Sequence, residues 1–199
     1  MKRLLIHVKH ERVISGCLLL LLILSSGCGI TFSPLPKGPC PIDTLLIDNI
    51  SLPGAIFHET GSRSANSAPA KVGIEKIGTS FSSYDKGGVV QYVYRFSNAR
   101  DAQKEYDEVS KYYFSKQKNS TTWESPGDLN NLKLHADSFK IACSTLMDVD
   151  PNVEVCQFTA QYGTYETYLS VDMIALDHND LLRLVGEIDR KMSLCLDRK

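Results

Sequence analysis

The residues of this chain whose types and spacing could do chemistry are few: four of the six cysteines and three of the five histidines, all beyond residue 28, and two short motifs. Cys40, Cys143, Cys156 and Cys195 stand far apart, and no two have C-x-x-C spacing. A structural metal site needs closely spaced pairs of ligands, so none is expected. An even set of dispersed cysteines reads instead as two disulfides. Three pairings are open. The favoured one closes a strand–turn–strand unit through Cys143 and Cys156, and staples the ends through Cys40 and Cys195. His58, His135 and His178 show no metal-ligand spacing such as H-E-x-x-H. His58 and Glu59 are neighbours, and neighbours on a strand point to opposite faces. Each histidine therefore reads as exposed.

Neither motif supports a reaction. Ser83-Tyr84-Asp85-Lys86 fits S-x-x-K, in which a lysine can activate a serine, but Ser115-Lys116-Gln117-Lys118 fits equally well. The partner motifs S-D-N and K-T-G do not occur, and Gly87-Gly88 marks Ser83–Lys86 as a turn. Asp148-Val149-Asp150-Pro151-Asn152 opens like a calcium loop. Val153 then stands where the loop needs glycine, and Thr159 where it needs a bidentate glutamate. There is no G-x-S-x-G, phosphate loop or dinucleotide fingerprint. No catalytic residue, metal or cofactor is assigned.

Tyrosine is the one compositional bias. An apolar ring with a polar tip suits recognition surfaces. Tyr92, Tyr94, Tyr106 and Tyr113 fall on inferred core faces and read as packing. Tyr162, Tyr165 and Tyr168 flank a turn and are expected to form an exposed patch that could bind a partner.

The elements that must position these residues follow from periodicity. Val72–Ser82 and Val90–Phe96 alternate with period two around Asp85-Lys86-Gly87-Gly88, which reads as a hairpin. From Asn98 the period becomes helical: Ala99, Ala102, Tyr106, Val109 and Tyr113 share one side up to Ser115. Gln117–Asn131 is a loop, with Trp123 placed to cover the core. Ser138–Leu146, Val153–Gln161 and Tyr165–Ile174 read as strands. Asp177 or Asn179 then caps a helix with the stripe Leu181, Leu184, Val185, Ile188, Met192 and Cys195. Upstream, Leu45–Ile50 and Ala55–His58 read as short strands, and Thr60–Ala70 as a loop. The expected fold is α+β: a mainly antiparallel sheet with two amphipathic helices packed on one face.

The N-terminus carries an address. Lys2, Arg3, Lys9 and Arg12 precede the uncharged, Leu-rich Val13–Leu24, and Leu24-Ser25-Ser26-Gly27-Cys28 follows. Basic, apolar and small-residue regions in this order make up a secretory signal. With the cysteine at its end the segment resembles that of a bacterial lipoprotein. The resemblance implies cleavage after Gly27, a diacylglyceryl group on Cys28 and further acylation such as palmitate. The expected organisation is a signal peptide over 1–27, an anchor and tether over 28–39, and one α+β domain over 40–199. The resemblance covers the first 28 residues and implies nothing about the domain.

Charge narrows the partners. The chain carries a formal charge of −1, and the signal holds four bases against one acid. The remainder is therefore acidic and does not suit nucleic acid. The membrane would be reached through acyl chains, and an envelope protein or ligand through the domain. The sequence thus reads as a lipid-anchored protein of the cell or outer membrane, its domain outside the cytoplasm. Its function reads as non-enzymatic binding or interaction. The alternatives are an envelope hydrolase whose residues meet only in three dimensions, or a carrier of an apolar ligand.

Overall fold

Two hairpins laid side by side make the centre of one antiparallel sheet. The computed structural model describes residues 40–48, 52, 57–60, 75–83, 87–115, 120–127, 129, 132–147 and 152–196. Its strands are β1 (His58–Glu59), β2 (Glu75–Ser83), β3 (Gly87–Arg95), β4 (Ser138–Leu146), β5 (Val153–Tyr162) and β6 (Tyr165–Asp172). Their order across the sheet is β1-β2-β3-β6-β5-β4. The alternating β-branched and aromatic residues set the register, Val93 lying opposite Ile77 on β2 and Thr167 on β6. Gly163 turns the chain between β5 and β6 at a φ of 57°, where glycine carries no Cβ penalty. The α+β class and the antiparallel sheet are as expected.

Register assigns the faces. Ile77, Phe81, Val89, Val93, Phe158, Tyr162, Leu169 and Val171 belong to the buried apolar core on one of them. The C-terminal helix α2 (His178–Leu196) packs there with Leu181, Leu184, Val185, Ile188, Met192 and Cys195 all buried. Full burial of each large apolar side chain contributes about 1.5–3 kcal/mol. Asp177 caps the helix: the Asp180 amide donates to its carboxylate at 2.8 Å, and its own amide donates to Asp180 at 3.2 Å.

The same face holds the segment 40–48, which contains a 3-10 turn at Ile42–Leu45; of the strand expected over Leu45–Ile50, the described residues up to 48 form none. Fully buried Gln91 fastens it. Its amide donates to the Leu45 carbonyl, and its Oε1 accepts from the Ile47 amide at 2.6 Å. Lys191 of α2 donates to the Leu46 carbonyl and to Asp48. A disulfide joins Cys40 to Cys195 at the end of α2.

The other face is polar and carries helix α1 (Ala99–Tyr113). Asn98 caps it, accepting from the Asp101 amide at 2.9 Å. Tyr113 stacks on Tyr168, which register places on the face away from Leu169 and Phe158. The helices therefore lie on opposite faces of the sheet, which corrects the expectation of one shared face. The reason lies in β5 and β6. Gln157, Thr159, Gln161 and Glu166 are polar and lie on the side away from the apolar core, yet all are buried beneath α1.

Trp123 packs edge-on against Phe114 and donates to the Ser115 carbonyl, fixing the loop to the end of α1. Among the described residues no helix is long and apolar enough to cross a membrane. Cys28 with the signal and tether, most of Thr60–Ala70, Lys86, and Asp148–Pro151 lie outside the described residues.

Candidate ligand recess

The polar face of the sheet and helix α1 line an open recess of about 290 Å³. β3 contributes Tyr94, β6 contributes Glu166, and α1 contributes Glu105, Glu108, Tyr112 and Tyr113 around Val109. Helical spacing explains the α1 set: Glu105, Glu108, Val109 and Tyr112 follow as i, i+3, i+4 and i+7 and share one side. Three carboxyl groups and three phenol rings thus line the recess, with no lysine or arginine among the lining residues. The volume lies at the small end of ligand pockets and suits a small group.

An aromatic array stiffens its wall. The Tyr113 and Tyr168 rings stack at 4.1 Å between centroids, and Tyr168 continues to Tyr92 at 6.4 Å. Tyr92 lies over Gly78 on β2, where a side chain would collide with its ring. The ammonium of Lys76 sits 4.2 Å from the Tyr92 centroid and 5.3 Å from that of Tyr94. The array therefore already presents ring faces to a cation.

Glu166 is the decisive residue. Its side chain is fully buried, at 0 % exposure, against the recess. Its Oε1 accepts from Thr159 at 3.4 Å, while Oε2 has no hydrogen-bond partner among the described residues. Gln161, its register partner on β5, likewise has an unpartnered Oε1. Burial raises the Glu166 carboxyl from 4.5 to about 8, with the nearby charge of Glu105 adding to the rise and Thr159 opposing it. Burial also raises the phenols of Tyr94 and Tyr113. An unpaired buried acid costs stability, and such groups concentrate at functional sites.

The residues singled out from sequence lie elsewhere or play other parts. Tyr162, Tyr165 and Tyr168 form no exposed patch, because all three are buried. Tyr162 and Tyr165 point into the apolar core, their hydroxyls donating to Asp189 at 3.0 Å and to the Cys40 carbonyl at 3.2 Å. Tyr168 sits on the opposite face in the stack behind the recess, with its phenol raised to about 12 chiefly by burial. Their turn was correctly placed, but both sides of it are covered.

His135 is exposed, and its ring Nδ1 lies 2.7 Å from buried Asp189, which also accepts from the His135 amide. Asp189 thereby ties the 132–137 segment to α2. It falls beside Ile188 in the helical stripe, where its carboxylate gave no sequence signal. His58 is exposed on β1, and His178 is half-buried, 3.6 Å from Glu154. The ligand atoms of Cys143, Cys156, Glu154 and His178 lie within 4.8 Å of one another. The two sulfurs are bonded as a disulfide, however, so only Glu154 and His178 remain as donors, short of a tetrahedral metal site.

The fold has a solved counterpart. No protein-family pattern and no curated protein matches the chain. It is similar to the extracellular domain of PknH from Mycobacterium tuberculosis, with a TM-score of 0.55 at 11% identity. The match covers 77% of this chain and 95% of that one. At that identity the likeness establishes the fold alone.

Proposed function

We propose that this chain is a lipid-anchored envelope protein whose domain lies outside the cytoplasm and binds a ligand without transforming it. The anchor is read from Cys28 and the basic-apolar-small order of the segment before it. Two disulfides suit an oxidising compartment. The likeness to an extracellular domain agrees with that placement.

One observation carries the binding reading: Glu166 is fully buried, with an unpartnered oxygen, against a recess walled by tyrosines. A few polar groups converging on a concave recess are what a ligand site presents. The carboxyl and phenol lining does not suit an apolar ligand.

The test is amide chemical-shift mapping of the full chain in detergent micelles with small alkylammonium, carboxylate, sugar and phosphate probes. Shifts confined to the residues around Glu105, Tyr113 and Glu166 with one probe class support the reading. No response there to any class contradicts it.

A further inference from the structure

The chemistry of the recess points to one ligand class, an inference that rests on the binding reading above. We propose that it binds a primary organic ammonium ion, its N–H groups donating to Oε2 of Glu166 and its charge lying against the Tyr94 and Tyr113 rings.

Three observations select this class. Oε2 of Glu166, a lining residue, has no hydrogen-bond partner among the described residues, nor has Oε1 of its register partner Gln161, and the carboxylate form of Glu166 calls for a donor. The lining carries three carboxyl groups and no base, so its field opposes an anion. Its walls are phenol rings, whose faces attract cations, and Lys76 already occupies that kind of position over Tyr92. A neutral hydrogen-bonding ligand satisfies the first observation but not the other two. A quaternary ammonium satisfies the last two but brings no donor.

Binding is coupled to a proton. Glu166 faces Glu105, Tyr106 and Tyr113 from α1, Tyr94 from β3, and Thr159 and Gln161 from β5; Lys76 on β2 stands beyond the Tyr94 ring. With its carboxyl raised to about 8, Glu166 holds a proton at neutral pH when no cation is present. An ammonium ion seated on Oε2 favours the carboxylate, so the proton leaves to solvent as the ligand enters. An alkylammonium keeps its own charge to about pH 10. Affinity should therefore be roughly tenfold weaker at pH 7 than at pH 9.

The experiment is isothermal titration calorimetry of the full chain in detergent micelles at fixed ionic strength. The probes are n-butylammonium, n-butanol and tetramethylammonium, at pH 7 and pH 9 and in two buffers of different ionisation heat. The expected result is n-butylammonium binding, tighter at pH 9, with close to one proton released at pH 7. Glu166→Gln should lower its affinity at pH 9 at least tenfold and abolish the proton release, while thermal melting confirms a folded domain. Equal binding of n-butanol, tighter binding of tetramethylammonium, or unchanged affinity in Glu166→Gln overturns the ligand class and leaves a recess that binds something else. No binding by any probe, with no amide shifts around Glu166, overturns the binding reading itself.

Discussion

The Thr159 hydroxyl donates to one oxygen of Glu166 at 3.4 Å, and the other oxygen has no hydrogen-bond partner among the described residues. Both residues lie on β strands beneath α1, and neither is accessible to water. The pair leaves a carboxyl half-satisfied in a setting where an ionised acid is costly.

That cost has a pH signature. In the unfolded chain the carboxyl ionises near 4.5, and in the fold near 8, so between these values the folded state holds the extra proton. The stabilisation is fully present below the unfolded value and is lost as pH rises toward the folded one. Its loss amounts to no more than about 1.4 kcal/mol per pH unit. Glu166→Gln should remove this slope and be more stable than the natural chain at pH 8. Urea unfolding of both proteins from pH 5 to pH 9 checks it. Parallel stability curves contradict it.

A second acid is fully engaged. Asp189 accepts from the Tyr162 hydroxyl, the His135 amide and the His135 ring. Tyr162→Phe removes one donor and leaves the ring volume in place. It should cost about 1–2 kcal/mol in urea unfolding while leaving ligand binding at the recess unchanged. A neutral effect on stability would mean that the hydroxyl contributes nothing to the clamp.

Gly78 holds the aromatic array in register. A methyl group there meets the Tyr92 ring, which stacks on Tyr168. Gly78→Ala should destabilise the fold by roughly 1–3 kcal/mol through displacement of that ring. Combining it with Tyr92→Leu should recover part of the loss. Additive costs in a double-mutant cycle would place the clash elsewhere.

The anchor is tested by mass. Protein taken from native membranes should begin at Cys28 and carry added acyl mass. A chain that retains residues 1–27, or one that lacks lipid, contradicts the proposed anchoring.

Much of the scaffold was legible because each element advertised its period. The alternation of Val90, Tyr92 and Tyr94 with Gln91, Val93 and Arg95 marked β3, although Val93 and not the tyrosines expected on the core face lies in the apolar core. The stripe from Leu181 to Cys195 marked α2 and its buried cysteine. What the pattern could not convey was that β5 and β6 are covered twice. Gln157, Thr159, Gln161 and Glu166 look like a solvated edge of alternating strands, but α1 lies over them. The recess was hidden for the same reason. A glutamate between two tyrosines on a strand, Tyr165-Glu166-Thr167-Tyr168, is an ordinary outward-facing residue until a helix closes above it. The α1 stripe gave a weak hint. It contains tyrosines rather than leucines, as befits a helix packed on a polar surface.

The central claim is that Glu166 is a buried acid held for a cation, and the carboxyl carbon resonance of Glu166 tests it most directly. Titrated by NMR from pH 4 to pH 10, that resonance should have its midpoint near 8, and the midpoint should fall when n-butylammonium is added. A midpoint near 4.5 that n-butylammonium does not move would contradict the account.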